Sequence, residues 1–129
     1  MIVADSDVLI DALRGREPSA SRVAQELRRG ALATTSINSF ELLSGAKAEA
    51  HRLRVEQLLA PLRIVSCDES SAALAAEIRR DLEAAGIKIG MADYLIAGIC
   101  ISHSALLLTR NRRHFERVRG LRFEDLTPV

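Results

Sequence analysis

The sequence predicts an α/β fold in which a parallel sheet of four to five strands is covered by helices on both faces. Short apolar runs alternate with longer segments whose apolar residues recur at helical spacing, and Gly or Pro stands at many of the junctions between them. The chain of 129 residues, 48% hydrophobic and 27% charged, is long enough to bury one core without metal or disulfide staples.

Residues 2–4 form an apolar run that ends in Asp5, and residues 8–13 carry helical spacing until Gly15. Pro18 suits a helix start, with Val23 and Leu27 on one face and Gly30 closing it. Residues 31–35 read as a second strand. Ser36 reads as the N-cap of a helix over 37–44, and Gly45 breaks it before another helix that runs to Leu59. Leu62, Ile64 and Val65 make a third strand after Pro61. Asp68 then caps a long amphipathic helix with Leu74, Ile78 and Leu82 at successive i+4 positions, ended by Gly86. Residues 90–103 are apolar nearly all round, the mark of a buried central helix. Residues 105–108 form the fourth strand and 122–124 a fifth. Strands that alternate with helices pair in parallel through right-handed crossovers. No repeat, linker or low-complexity tract divides the chain, so residues 1–129 read as a single domain.

Composition excludes several functions. The most apolar stretch, 94–108, is broken by Gly98, Ser102 and His103 and is shorter than the ~20 residues of a membrane span. The N-terminus reaches Asp5 before an apolar leader can form, so a cytoplasmic location and no membrane partner are expected. Cys67 and Cys100 are too few for a disulfide framework and lack metal-ligand spacing; they read as reduced thiols. Eighteen basic residues against seventeen acidic ones give a net charge of +1, without the overall field of a general nucleic-acid coat. Only Arg110, Arg112, Arg113, Arg117 and Arg119 cluster, with Glu116 the single acid among them; such a run is either a solvated face or a phosphate-steering patch.

In a parallel α/β sheet, ligands sit beyond the carboxyl ends of the strands. Asp5 and Asp7 follow the first strand, Ser36 and Glu41 the second, and Thr109 and Asn111 the fourth. Glu41 shares a helical face with Ile37 and lies beside Phe40 and Leu42, so it is expected to point toward apolar company; the alternative is a surface position. Asp93 has Ile96, Ala97 and Cys100 on its own stripe, although a carboxylate in a first turn is also favoured by the helix dipole. Asp5 alternatively caps the next helix, with Asp7 and Asp11 as solvated members of it. Gathered at one edge, these acids repel unless a hard cation lies between them, which predicts Mg²⁺ or Mn²⁺ and phosphodiester chemistry.

Four blocks carry a resemblance: residues 3–11 with Asp5, Ser36 with residues 40–45 around Glu41, residues 89–97 around Asp93, and residues 108–115 with Thr109 and Asn111. Together they resemble the PIN domain, and more narrowly the VapC ribonuclease toxins of toxin–antitoxin pairs. The resemblance implies a three-layer α/β/α sandwich, Mg²⁺- or Mn²⁺-dependent endoribonuclease activity on RNA, homodimerisation and a cognate VapB-type antitoxin that forms a hetero-oligomer and blocks the site. Asp5, Glu41 and Asp93 match the family's acidic triad as metal ligands and catalytic residues. The family's fourth acid falls most simply at Asn111, which brings no charge. Asp7, Ser6, Ser36 and Thr109 are expected around the carboxylates, and Arg110, Arg112 and Arg113 along the RNA backbone. His114, beside Phe115, is assigned to packing at a helix end rather than to proton transfer. Most of Phe40, Tyr94, Phe115 and Phe123 read as core, so RNA selectivity should come from shape rather than base stacking. Leu53, Leu58 and Leu59 are expected either to pack in the core or to leave a groove for an antitoxin helix.

Three alternatives remain at this point. A degenerate PIN domain would bind RNA or a protein without cutting. Asp5-Ser6-Asp7-Val8 is also similar to the nucleophile motif of haloacid-dehalogenase phosphatases, and paired acids with Thr109 are similar to a receiver domain. Both of the latter need a lysine that neither Lys47 nor Lys88 supplies.

Overall fold

The structure is a computed structural model that describes residues 1–129. Its elements run β1 (Ile2–Ala4), α1 (Ser6–Leu13), α2 (Ser19–Arg28), β2 (Leu32–Thr35), α3 (Ser36–Gly45), α4 (Glu49–Leu59), β3 (Arg63–Val65), α5 (Glu69–Ala84), α6 (Met91–Ser102), β4 (Leu106–Thr109), α7 (Arg112–Phe115) and β5 (Arg122–Asp125). The five strands pair in parallel in the order β3-β2-β1-β4-β5. The chain builds outward from β1 through β2 to β3, then returns to the other side of β1. The crevice where the strand order reverses, between the carboxyl ends of β1 and β4, is where such sheets place ligands.

The strand pleat divides the core in two. Val3, Ala33 and Leu107 face α5 and α6, in a cluster with Ile78, Leu82, Ile96 and Ile99. Their strand neighbours Ala4, Leu32 and Leu108 face the other way, onto Val8 and Leu9 of α1, Val23 of α2, Leu42 of α3 and Val55 of α4. Helices therefore cover both faces of the sheet, which is the three-layer arrangement. No helix is long and apolar enough to cross a membrane.

Several local details differ from the sequence expectation. Thr35, not Ser36, caps α3: its backbone is extended (φ −102°, ψ 163°) and its Oγ1 accepts from Asn38 N at 3.1 Å. The β-branched end of the strand supplies the cap, so the helix begins one residue earlier. On α5 the buried stripe is Ser71, Ala75, Ile78 and Leu82, with Leu74 only half-buried. Small residues occupy this stripe because α6 comes very close. A Cβ added at Gly98 would lie 2.4 Å from Ser71 O and 2.9 Å from Ala75 N. These are backbone atoms that cannot swing aside, so Gly98→Ala is expected to cost about 1–3 kcal/mol of stability. Urea unfolding checks this; an unchanged midpoint would mean that the two helices are not so close.

Candidate functional site

Asp5 sits at the end of β1, buried, and caps α1. Its Oδ1 accepts from Ser6 N and Asn38 Nδ2, both at 2.9 Å, and its Oδ2 from Thr109 Oγ1 at 2.7 Å. Three elements thus grip one carboxylate, and Oδ2 keeps a lone pair. Thr109 is itself fully buried and accepts from Asn111 N at 3.0 Å, which ties the loop after β4 to the same point. Asn38, fully buried on α3, donates also to Ser6 Oγ at 2.9 Å, and its Oδ1 accepts from Thr35 Oγ1 at 2.7 Å. The sequence reading missed Asn38; the one signal for it was its place three residues after Thr35, the spacing of a capped first turn. Ser36 makes none of these contacts.

Glu41 is exposed, contrary to the apolar surroundings expected for it. The apolar residues of α3 lie all round the helix, so sequence spacing did not reveal which face meets the core: Leu42 is buried, Ile37 half-buried, and Phe40 is 69% exposed. Phe40 is accordingly an exception to the expected burial of the aromatic residues. Glu41 nevertheless turns inward, its Oε1 accepting from Ser6 Oγ at 2.8 Å. Asp93 enters from the first turn of α6, and its Oδ2 contacts Nδ1 of His114 on α7 and lies 3.4 Å from Asn111 Nδ2. His114 therefore belongs to this cluster. Its assignment to helix-end packing is corrected, because Phe115 takes the buried position and turns His114 toward α6.

Burial raises Asp5 above the usual carboxylate range, against the hydrogen bonds from Thr109, Ser6 and Asn38 that lower it. Asp7 is pushed up to about 7, first by burial and then by the charge of Asp5. Burial also raises Asp93; the hydrogen bond from His114 opposes the shift, and the charges of Asp5 and Glu41 add to it. Even Cys100, buried behind the cluster, is pushed up to about 12 by burial with a contribution from Asp5. Asp93 thus feels the charges of Asp5 and Glu41, and Asp7 that of Asp5, although the three segments are far apart in the chain.

Asp7 accepts from Arg110 N at 3.2 and 3.3 Å. Asp11, read as solvated, is buried: Arg110 Nη1 lies 3.0 Å from both of its oxygens, and Arg16 Nη1 3.9 Å from Oδ1. The Arg110 guanidinium is thus committed inside the protein rather than offered along an RNA backbone. Arg112 is exposed and pairs with Glu116 at 3.4 Å, and Arg113 is exposed.

The donor set is all oxygen apart from one imidazole, which suits a hard divalent cation. No three Asp, Glu, His or Cys side chains stand close enough to cage an ion by themselves. That spacing does not suit structural zinc. It does suit Mg²⁺, which usually keeps several waters and takes only one or two carboxylates.

The chain belongs to the PIN domain family, whose profile matches residues 2–121. Within that family it belongs with the VapC proteins. It is 34% identical over 128 residues to Ribonuclease VapC10 of Mycobacterium tuberculosis, covering 99% of this chain and 92% of the relative. It is 30% identical over 125 residues to the tRNA(fMet)-specific endonuclease VapC of Shigella flexneri, covering 94% of each. Its fold is similar to that in the crystal structure of VapBC2 from Rickettsia felis bound to a DNA fragment from their promoter. There the TM-score is 0.88 at 26% identity, over 97% of this chain and 98% of the other. The DNA-bound VapBC of Salmonella typhimurium gives 0.84 at 29% identity, over the same shares. The phosphatase and receiver-domain alternatives fall with this assignment.

Proposed function

We propose that this chain is the toxin of a toxin–antitoxin pair, an endoribonuclease that depends on Mg²⁺ or Mn²⁺. The observation that carries the reading is the gathering of Asp5, Asp93 and Glu41 at the switch point of the sheet, where burial raises Asp5 and Asp93 and the charges of Asp5 and Glu41 add to the rise at Asp93. Relatives over nearly the whole chain are named as ribonucleases, which supports the same reaction here. Asp5 and Asp93 would be the carboxylates that take the cation, with water filling the rest of its shell and Glu41 adding charge beside them, while Thr109, Asn38 and Ser6 fix the orientation of Asp5 and Glu41. When bound, such a cation supplies a lowered pKa for water and neutralises charge at the phosphate. Arg112 and Arg113, exposed beside the site, would steer the RNA backbone, while Arg110 holds the loop that carries them.

The experiment is cleavage of RNA by the purified protein before and after chelation. Activity that disappears with chelator, returns with Mg²⁺ or Mn²⁺ and is absent in Asp93→Asn supports the reading. RNA binding without cleavage under every condition would replace it with the degenerate, binding-only PIN domain.

The partner is a VapB-type antitoxin, in keeping with the VapBC complexes among the similar structures. A cleft of about 390 Å³ between α1, α3 and α4 would take a segment of the antitoxin. Ile10, Leu13, Leu42 and Val55 form its floor, Arg54 lies on its edge, and Glu41 joins it to the acid cluster. None of the three leucines expected either in the core or along an antitoxin groove lines this cleft: Leu59 is buried, Leu58 half-buried and Leu53 52% exposed. A basic side chain on a segment seated in this cleft would reach Glu41 and compete with a cation.

A further inference from the structure

The two carboxylates that meet at the switch point are held by different means. Asp5 has three donors, from a backbone amide, a side-chain amide and a hydroxyl. Asp93 has no side-chain cap at its helix start, where Gly90 stands, and its side-chain partners come from α7 and the loop before it. Foremost among them is His114. Its ring is 39% exposed, yet Nδ1 contacts Asp93 Oδ2 directly and lies 2.8 Å from Asn111 Nδ2. A bare Nδ1 would set its lone pair against an ionised oxygen, so against the carboxylate Nδ1 carries the proton.

We propose that His114 is the positioning residue for Asp93. Its Nδ1–H holds Oδ2, which leaves Oδ1 free of that contact. Phe115, fully buried, anchors the short helix that delivers the imidazole, so the contact is set by the packing of α7 and not by a mobile side chain. The proposal deepens the nuclease reading and rests on it: Asp93 would be a ligand whose aim is provided by one histidine. Partners of this kind, one shell out from a metal, are typically worth 10–100-fold in metal affinity.

The test uses Mn²⁺ alone as the probe, with its binding to the full chain followed by electron paramagnetic resonance in wild type, His114→Ala, His114→Asn and His114→Gln. Asparagine places an amide N–H near the position of Nδ1, whereas glutamine places it near Nε2. His114→Ala is expected to weaken Mn²⁺ binding about 10–100-fold, His114→Asn to restore it to within about threefold of wild type, and His114→Gln to stay weak. Binding by His114→Ala equal to wild type overturns the proposal and leaves the metal site standing. Equal affinities of the asparagine and glutamine variants also overturn it, and this contrast decides the matter if the alanine variant does not fold. Failure of the wild type to bind Mn²⁺ sinks both the proposal and the metal-dependent reading beneath it.

Discussion

Asp5→Asn is expected to lower RNA cleavage about 10³-fold while raising the melting temperature of the cation-free protein. The first effect follows from removing a ligand of a cation that supplies several kcal/mol of charge stabilisation, at 1.36 kcal/mol for each tenfold. The second follows from electrostatics. Burial raises Asp5, and its charge in turn raises Asp7 and Asp93, so a neutral amide at position 5 removes one buried acid and relieves two others. The amide oxygen can still accept from Ser6 N and Asn38, and its nitrogen can donate to Thr109 Oγ1 in place of the bond that Thr109 donates to Asp5. Mg²⁺ should then stabilise wild type more than the variant, because a ligand that binds only the folded state adds stability in proportion to its affinity. Parallel melting curves with and without Mg²⁺ check this, and equal shifts in the two proteins would contradict it.

The same carboxylates set a pH dependence. Asp7 is raised to about 7 in the folded chain, against about 3.9 when unfolded. A carboxyl group with the higher pKa in the native state binds its proton more tightly there. Its stabilising contribution is complete below the unfolded value and is lost as pH rises from about 4 to about 7. Cation-free protein should therefore melt at progressively lower temperature across that window. Asp7→Asn should flatten the slope; a stability that increases with pH over the same range would show the opposite sign.

Arg110→Met should destabilise the fold by about 3 kcal/mol, the low end of the 3–5 kcal/mol seen when one partner of a buried ion pair is removed. Asp11 is 2% exposed at its side chain and would be left with only Arg16, 3.9 Å away and itself more than half exposed. The pair also ties the loop after β4 to α1, and Arg110 N donates to Asp7. Replacing both partners in Arg110→Met/Asp11→Leu should recover most of the loss, because an apolar pair of similar volume leaves no stranded charge. Chemical unfolding of the two singles and the double measures the coupling. Additive losses would mean that the two side chains do not depend on each other.

The paired behaviour of Arg110 and Asp11 shows where a linear reading loses resolution. Both were legible as charged residues near the site, Asp11 on a helix and Arg110 after a strand. Their distance, 99 positions apart in the chain, is closed only when β4 is laid beside β1. Glu41 illustrates the complementary case. Its place in the acid cluster was legible from its motif, but its burial was not, because α3 has apolar residues on every side. His114 and Asn38 carry little local signal, since each acts through a contact with a residue on another element.

Local rules alone determined the order and kind of the elements: short apolar runs and period-3.6 patterns, Asp68 at a helix start, Gly30 and Gly86 at helix ends, and acids after strand ends. These are properties of residues near one another in the chain, so the sequence states them directly. Which face of each helix meets the sheet, which acids lose their water, and which basic group answers each of them were decided by packing. Those choices are made jointly by segments far apart in sequence, through volumes and desolvation that exist only after β1, β4 and α6 have come together.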